Sequence, residues 1–178
     1  LMLIGALLGV IGSLASGSVL VGAIVAIIVT MFFSLIFGFF TITIRADQTV
    51  VGTAINIFAS GLTITLNRVV FGVSTSVPKI DVFDRVAIPI LSKIPVIGEA
   101  FFNQSIPVYL AFLAVPVAWF VLQKTNIGLN LRAVGEHPKA CDTVGINVLK
   151  TRYQAVLFSG FMAGLAGAFV LMGQLSFF

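Results

Sequence analysis

The first forty-four residues contain no Asp, Glu, Lys or Arg, and the first charge along the chain is Arg45. As one helix that run would extend about 66 Å, roughly twice the ~30 Å hydrocarbon core of a bilayer. Two helices joined by a tight turn fit instead. Ser16-Gly17-Ser18 is the densest small-polar cluster in the run and the natural place for that turn. Three further uncharged stretches follow, from Gln48 to Asn67, Ala100 to Gln123 and Tyr153 to Phe178. A membrane β-barrel would alternate apolar and polar positions in segments of about ten residues, whereas Leu20–Phe40 is almost continuously apolar. The pattern predicts an all-α polytopic membrane protein with about five transmembrane helices, residues 1–178 forming one transmembrane domain. Leu1 is already apolar, with no initiator Met and no basic region before it, and the chain stops in mid-hydrophobicity. It therefore reads as a fragment of a longer protein.

Composition narrows the picture further. The chain is 59% hydrophobic and only 9% charged, where a soluble domain carries roughly 25% charged residues. An ordinary soluble enzyme, a nucleic-acid module and a disordered region are excluded, and a single cysteine excludes a disulfide scaffold. The net charge of +4 reflects a few basic anchors rather than a polyanion-binding surface, so no nucleic acid is implied. Between the fourth and fifth spans, residues 124–152 hold Lys124, Arg132, Lys139, Lys150 and Arg152, and alternation places Arg45 on the same side. The opposite loop, residues 68–105, holds Arg68, Lys79, Arg85 and Lys93, offset by Asp81, Asp84 and Glu99. The positive-inside rule makes the 124–152 loop cytoplasmic and the 68–105 loop extracytoplasmic.

Polar residues inside the spans are few and patterned. The third span carries Thr53, Asn56, Ser60 and Thr63, of which Asn56, Ser60 and Thr63 follow i, i+4, i+7 spacing along one helical face. In lipid an unpaired polar group costs several kcal/mol, so the stripe faces protein or water. It is either a substrate pathway lined by neutral hydrogen-bonding groups or a set of interhelical bridges. Gly52 and Gly61 also permit a broken helix of the kind transporters use near the midplane. Gly5, Gly9, Ser13 and Gly17 repeat every four positions, and Gly160 and Gly164 form GxxxG. Such stripes let backbones approach closely, within one subunit more readily than across a dimer face. In the outer loop Pro78, Pro89 and Pro95 prevent a spanning helix, while Val86–Leu91 and Ile94–Ile97 are apolar enough to lie along the interface.

The inner loop is the most informative segment. Pro138 suits the first turn of a helix and Gly145 suits the left-handed position just past a helix end. Together they bracket one short helix, from His137 or Pro138 to Val144, with Ala140, Cys141 and Val144 on one side. Two turns cannot hold themselves in water, so the helix docks on a partner or on the underside of its own protein. His137 has no companion ligand for a metal. No acid pair lies inside any span, and no GxxxxGK[ST] phosphate loop is present. If ATP drives this protein, another chain binds it.

The run Gly128-Leu-Asn-Leu-Arg-Ala-Val-Gly-Glu-His-Pro-Lys-Ala-Cys-Asp-Thr-Val-Gly-Ile-Asn147, followed by Ser159-Gly-Phe-Met-Ala-Gly-Leu-Ala-Gly-Ala168, closely resembles the membrane permease subunits of bacterial ABC importers. The group is that for simple sugars, nucleosides and branched-chain amino acids. Arg45-Ala-Asp-Gln-Thr-Val-Val-Gly-Thr-Ala-Ile-Asn56, Ile94-Pro-Val-Ile-Gly98 and Phe102-Asn-Gln104 look most like its nucleoside and simple-sugar branch. The resemblance runs along essentially the whole chain and makes it the middle portion of a longer permease. It implies cytoplasmic ATPase subunits, a second permease subunit and an extracytoplasmic solute-binding protein, in a bacterial inner (plasma) membrane. ATP and Mg would sit on the ATPase, with no cofactor and no catalysis in this chain. It also implies that the short inner-loop helix is a coupling helix seated on the ATPase, through positions matching Gly135, Glu136, Pro138, Ala140, Asp142 and Gly145. His137 stands where Asn is more usual, and Cys141 where Ala is common. The expected function is inward passage of a small uncharged polar solute, a nucleoside or simple sugar. The alternative is an ion-gradient secondary transporter, for which Asp47 at a span end is the only acidic candidate.

Overall fold

The computed structural model describes residues 1–71, 85–87 and 103–170. Helix α1, Met2–Ser16, stops at Gly17, whose backbone is left-handed at φ 67° and whose N–H donates to the Ser13 carbonyl at 2.8 Å. A glycine takes that conformation without a Cβ clash, so the small-polar cluster makes the expected turn. Helix α2, Val19–Gly38, runs on into a wider π turn, Phe39–Thr43. The chain then reverses at Arg45, the only non-glycine residue with positive φ (59°) among the described residues. Asp47 accepts the Thr49 N–H at 2.7 Å and so caps α3, Gln48–Phe71. That helix is continuous through Gly52 and Gly61, so the broken-helix expectation does not hold, and it passes Asn67 into what the sequence assigns to the outer loop.

Most of the outer loop, including the apolar segments expected at the interface, lies outside the described residues. Its described parts are two short strands, β1, Arg85–Ala87, and β2, Asn103–Ser105, paired antiparallel with Arg85 opposite Ser105. The chain is thus not purely helical. Where prolines block a helix, backbone donors and acceptors find partners between segments instead.

Helix α4, Ile106–Lys124, is followed after Thr125 by α5, Asn126–Glu136, at a bend of 69°. The Thr125 hydroxyl oxygen accepts the Gly128 N–H at 3.4 Å, and a Cβ on Gly128 would stand 2.5 Å from the Leu122 backbone. The cap and the glycine together allow so sharp a turn. Sequence reading put one helix in the inner loop, and α5 is a second. The short one, α6, spans Pro138–Thr143 and leads to α7, Val148–Phe169, capped by the Asn147 side chain on the Lys150 N–H at 2.9 Å.

The core is the trio α1, α2 and α7. On α2, Ala26, Thr30 and Ser34 are buried to 2% exposure or less; each lies against a glycine of α1 or α7, and Ala26 also packs on Ala168. A Cβ on Gly5 would stand 2.6 Å from the Thr30 methyl, and one on Gly160 would stand 2.5 Å from the Ser34 Cβ. Gly164 likewise leaves room for Ile27 and Thr30. The small-residue stripes therefore pack helices within this chain, as expected, except that Gly17 serves the turn. By length and hydropathy Val19–Thr43 and Gln48–Val70 are able to cross a membrane, and the bent α4–α5 pair would make a third. The described residues thus support two or three spans by that measure, not five. Helix α1 covers only about 22 Å.

Candidate functional site

A cleft of about 510 Å³ opens between α2, α3 and α7. Its polar lining is Ser34 from α2, Gln48, Thr49, Thr53 and Asn56 from α3, and Ser159 from α7, with no ionisable side chain among the described residues that line it. Gly52 lies on the α3 wall with no atom near its missing Cβ, so the wall is open there.

The hydrogen bonds divide this lining into fixed and free groups. The Ser34 hydroxyl donates to the Val156 carbonyl on α7 at 2.5 Å and is itself 2% exposed, so it ties two helices together beneath the cleft. The Thr53 hydroxyl donates to the Thr49 carbonyl at 2.8 Å and keeps its oxygen lone pairs free to accept. Asn56 is exposed and makes no hydrogen bond among the described residues. Its side chain offers an acceptor and two donors.

The third-span stripe does not act as one unit. Thr53 and Asn56 reach the cleft. Ser60 is exposed outside it and bonds the Ile57 carbonyl at 2.8 Å. Thr63 is buried at 5% exposure and bonds the Ala59 carbonyl at 2.7 Å. Each of these hydroxyls is satisfied by its own helix. Sequence reading missed Gln48, Thr49, Ser34 and Ser159. Ser34 is a lone hydroxyl in a long apolar run, and Ser159 stands directly before the GxxxG glycine; nothing in either pattern says that the two helices face the same space.

The second feature lies at the end of the molecule where Arg45, Lys139 and Arg152 line one cleft and Thr43 and Tyr153 share a hydrogen bond at 2.6 Å. The predicted placement of Arg45 with the inner loop therefore holds. Helix α6 is closed at both ends by its sequence. Pro138 occupies its first turn, and after Val144 the chain turns left-handed at Gly145, φ 88°. There the Gly145 N–H donates to the Asp142 carbonyl at 3.1 Å and the Ile146 N–H to that of Cys141 at 3.0 Å, the paired bonds of a Schellman end. Cys141 points inward, while Ala140, Asp142, Gly145, Gly135 and Glu136 are exposed and Pro138 is half-buried. Val144 is 79% exposed. The expected common side for Ala140, Cys141 and Val144 is thus divided, with the cysteine as anchor and the other two facing out.

Asp47 holds its carboxyl below its ordinary value near 3.8, because the backbone N–H groups of Thr49 and Val50 and the Thr49 side chain all favour the charged form. It is fully exposed.

Residues 1–177 match the family model described as branched-chain amino acid transport system / permease component. A guanosine ABC transporter permease protein of Bacillus subtilis is 42% identical over 176 residues, 94% of this chain and 54% of the relative. A nucleoside ABC transporter permease protein of Lactococcus lactis is 40% identical, covering 90% of this chain and 50% of that protein. A putative glucose ABC transporter permease protein of Haloferax volcanii is 37% identical, covering 94% and 51%. The chain spans about half the length of these curated relatives. No solved structure matches it.

Proposed function

The chain belongs to the branched-chain amino acid transport permease family, and from that membership we propose that it is part of the membrane permease of an ATP-driven importer for a nucleoside or simple sugar. The observation that carries the solute class is the cleft between α2, α3 and α7. Its volume of about 510 Å³ is that of a small-molecule site, and it sets hydroxyls and amides among the apolar Leu1, Phe37, Ile55 and Val156, with no ionisable side chain among the described residues that line it. Such groups suit sugar hydroxyls and base edges. A charged solute would call for an ionisable partner.

In this reading α1 and α7 also cross the bilayer, which brings the count to five. Helix α1 is packed along α2 and α7, so it shares their depth, and its short length is made up by the flanking chain. The end bearing α6 is cytoplasmic. There Ala140 and Val144 face an ATPase subunit that binds ATP and Mg, and hydrolysis rocks the helix bundle around the cleft. A second permease subunit completes the pathway, and a solute-binding protein delivers the cargo on the opposite face of a bacterial plasma membrane. The chain itself performs no chemistry. Asp47 does not have the features of a proton-coupling group: it is fully exposed, and its carboxyl lies below its ordinary value with the Thr49 N–H donating to it.

Co-purification tests the class. The full-length permease, solubilised with its operon-encoded neighbours, should retain an ATPase subunit in fixed stoichiometry. Isolation as a free monomer fully active in gradient-driven uptake would overturn the proposal.

A further inference from the structure

The second cleft, of about 720 Å³, lies where the π turn, α6 and the start of α7 meet. Three cations line it, Arg45, Lys139 and Arg152, against one carboxylate, Asp142. All three are exposed, and among the described residues none forms a hydrogen bond or ion pair with a side chain. The rest of the lining includes Ile42, Val148 and Leu149, the last 59% exposed. The depth of the cleft is fixed by its neighbours. Val19–Thr43 is long and apolar enough to cross a membrane, Arg45 follows two residues later, and the Thr43–Tyr153 hydrogen bond sets the start of α7 level with that end. The Ala46 N–H donates to the Phe40 carbonyl at 3.0 Å, which holds the reversal from which the Arg45 side chain springs.

We propose that this cleft binds the headgroup of an anionic phospholipid. Unpaired cations above apolar side chains, at the level where a spanning helix leaves the hydrocarbon, match a ligand that is a phosphate at one end and a glyceride at the other. Basic pockets between membrane helices recognise acidic headgroups in this way. The cleft borders the ATPase-docking helix and shares Pro138 and Asp142 with it, whereas Ala140 and Val144 lie outside its lining. Bound lipid would fix α6 against the ends of α2 and α7. The proposal rests on the chain's place in a membrane and not on the solute or the ATPase, so its test reads lipid rather than transport.

The test is native mass spectrometry of the full-length permease, purified in neutral detergent and offered phosphatidylglycerol or phosphatidylcholine with the same acyl chains. Each cation near a headgroup contributes about fivefold in affinity, so the wild type should retain phosphatidylglycerol at least about tenfold better. Arg45→Gln with Arg152→Gln should cut that preference about tenfold or more, and Arg45→Lys with Arg152→Lys should keep it. Lys139→Gln, an exposed change that leaves the helix ends intact, should cost about fivefold and serves if the double variant does not fold. Arg68→Gln, at the far end of α3, should change nothing. No lipid preference in the wild type, or one untouched by the cleft variants, would overturn the proposal. So would displacement of the lipid by inorganic phosphate, the mark of a soluble-anion site. Loss of the bound lipid once the ATPase assembles would overturn it as well, by assigning the cleft to the protein partner.

Discussion

Two polar residues that line one cleft illustrate how similar chemistry serves different ends. Ser34 spends its hydroxyl proton on the Val156 carbonyl in a packed interface, whereas Asn56 keeps its whole amide free in the cleft. Ser34→Ala should therefore lower the melting temperature of the full-length permease in detergent, by the equivalent of about 0.5–1.5 kcal/mol, and leave uptake per folded molecule near normal. Asn56→Leu should do the reverse. Apparent solute affinity should fall about three- to tenfold with the loss of one neutral hydrogen bond, while melting is unchanged. An early-melting Asn56→Leu that transports normally would show that the amide bridges helices in the whole protein. At Asp47 the folded-state carboxyl lies below its ordinary value, so its capping contribution is fully present above pH ~4 and is lost only as pH falls through the lowered value. Between pH 5.5 and 8 uptake should show no titration from this group, and Asp47→Asn, which keeps an acceptor for the Thr49 N–H, should transport within about twofold of wild type. A proton-coupled carrier would lose its pH response and its activity in that variant. Helical spacing in the sequence aligned Asn56, Ser60 and Thr63 along α3, but a cleft depends on what stands opposite, and of these three only Asn56 lines it. That opposing wall comes from Ser34 and Ser159, more than a hundred residues apart in sequence.

At the scale of elements, legibility follows how locally each is determined. The turn at Gly17 and the boundaries of α6 were readable because an apolar run too long for one span and a Pro138–Gly145 pair constrain a few adjacent residues. Helix α5 and the 69° bend before it were not, because the segment is short, amphipathic and continuous in sequence with α4, and what separates them is a close approach at Gly128. Helix α6 has only one inward anchor, Cys141, so its outer face is available to a partner. Ala140→Arg would place an unpaired charge in that contact. Solute-stimulated ATPase activity of the assembled importer should drop more than about tenfold, with normal membrane insertion and an unchanged melting temperature of the isolated permease. Full stimulation in that variant would remove α6 from the coupling path.

For the whole molecule, a glycine-notched trio of α1, α2 and α7 forms the packed core, and α3 lies against it with the cleft between them. Helices α4 and α5 extend from this core with most of their apolar surface exposed, in a chain that spans about half of its relatives' length. The arrangement sets the neutral cleft apart from the end of the bundle that carries α6 and the cations Arg45, Lys139 and Arg152. Solute uptake tests the central claim most directly. The complete importer, reconstituted in proteoliposomes with ATP enclosed on the α6 side and a protonophore present, should accumulate a labelled nucleoside or simple sugar when its binding protein is supplied outside. Accumulation should stop when ATP is replaced by a non-hydrolysable analogue. Uptake that ignores ATP and collapses with the protonophore would contradict the account.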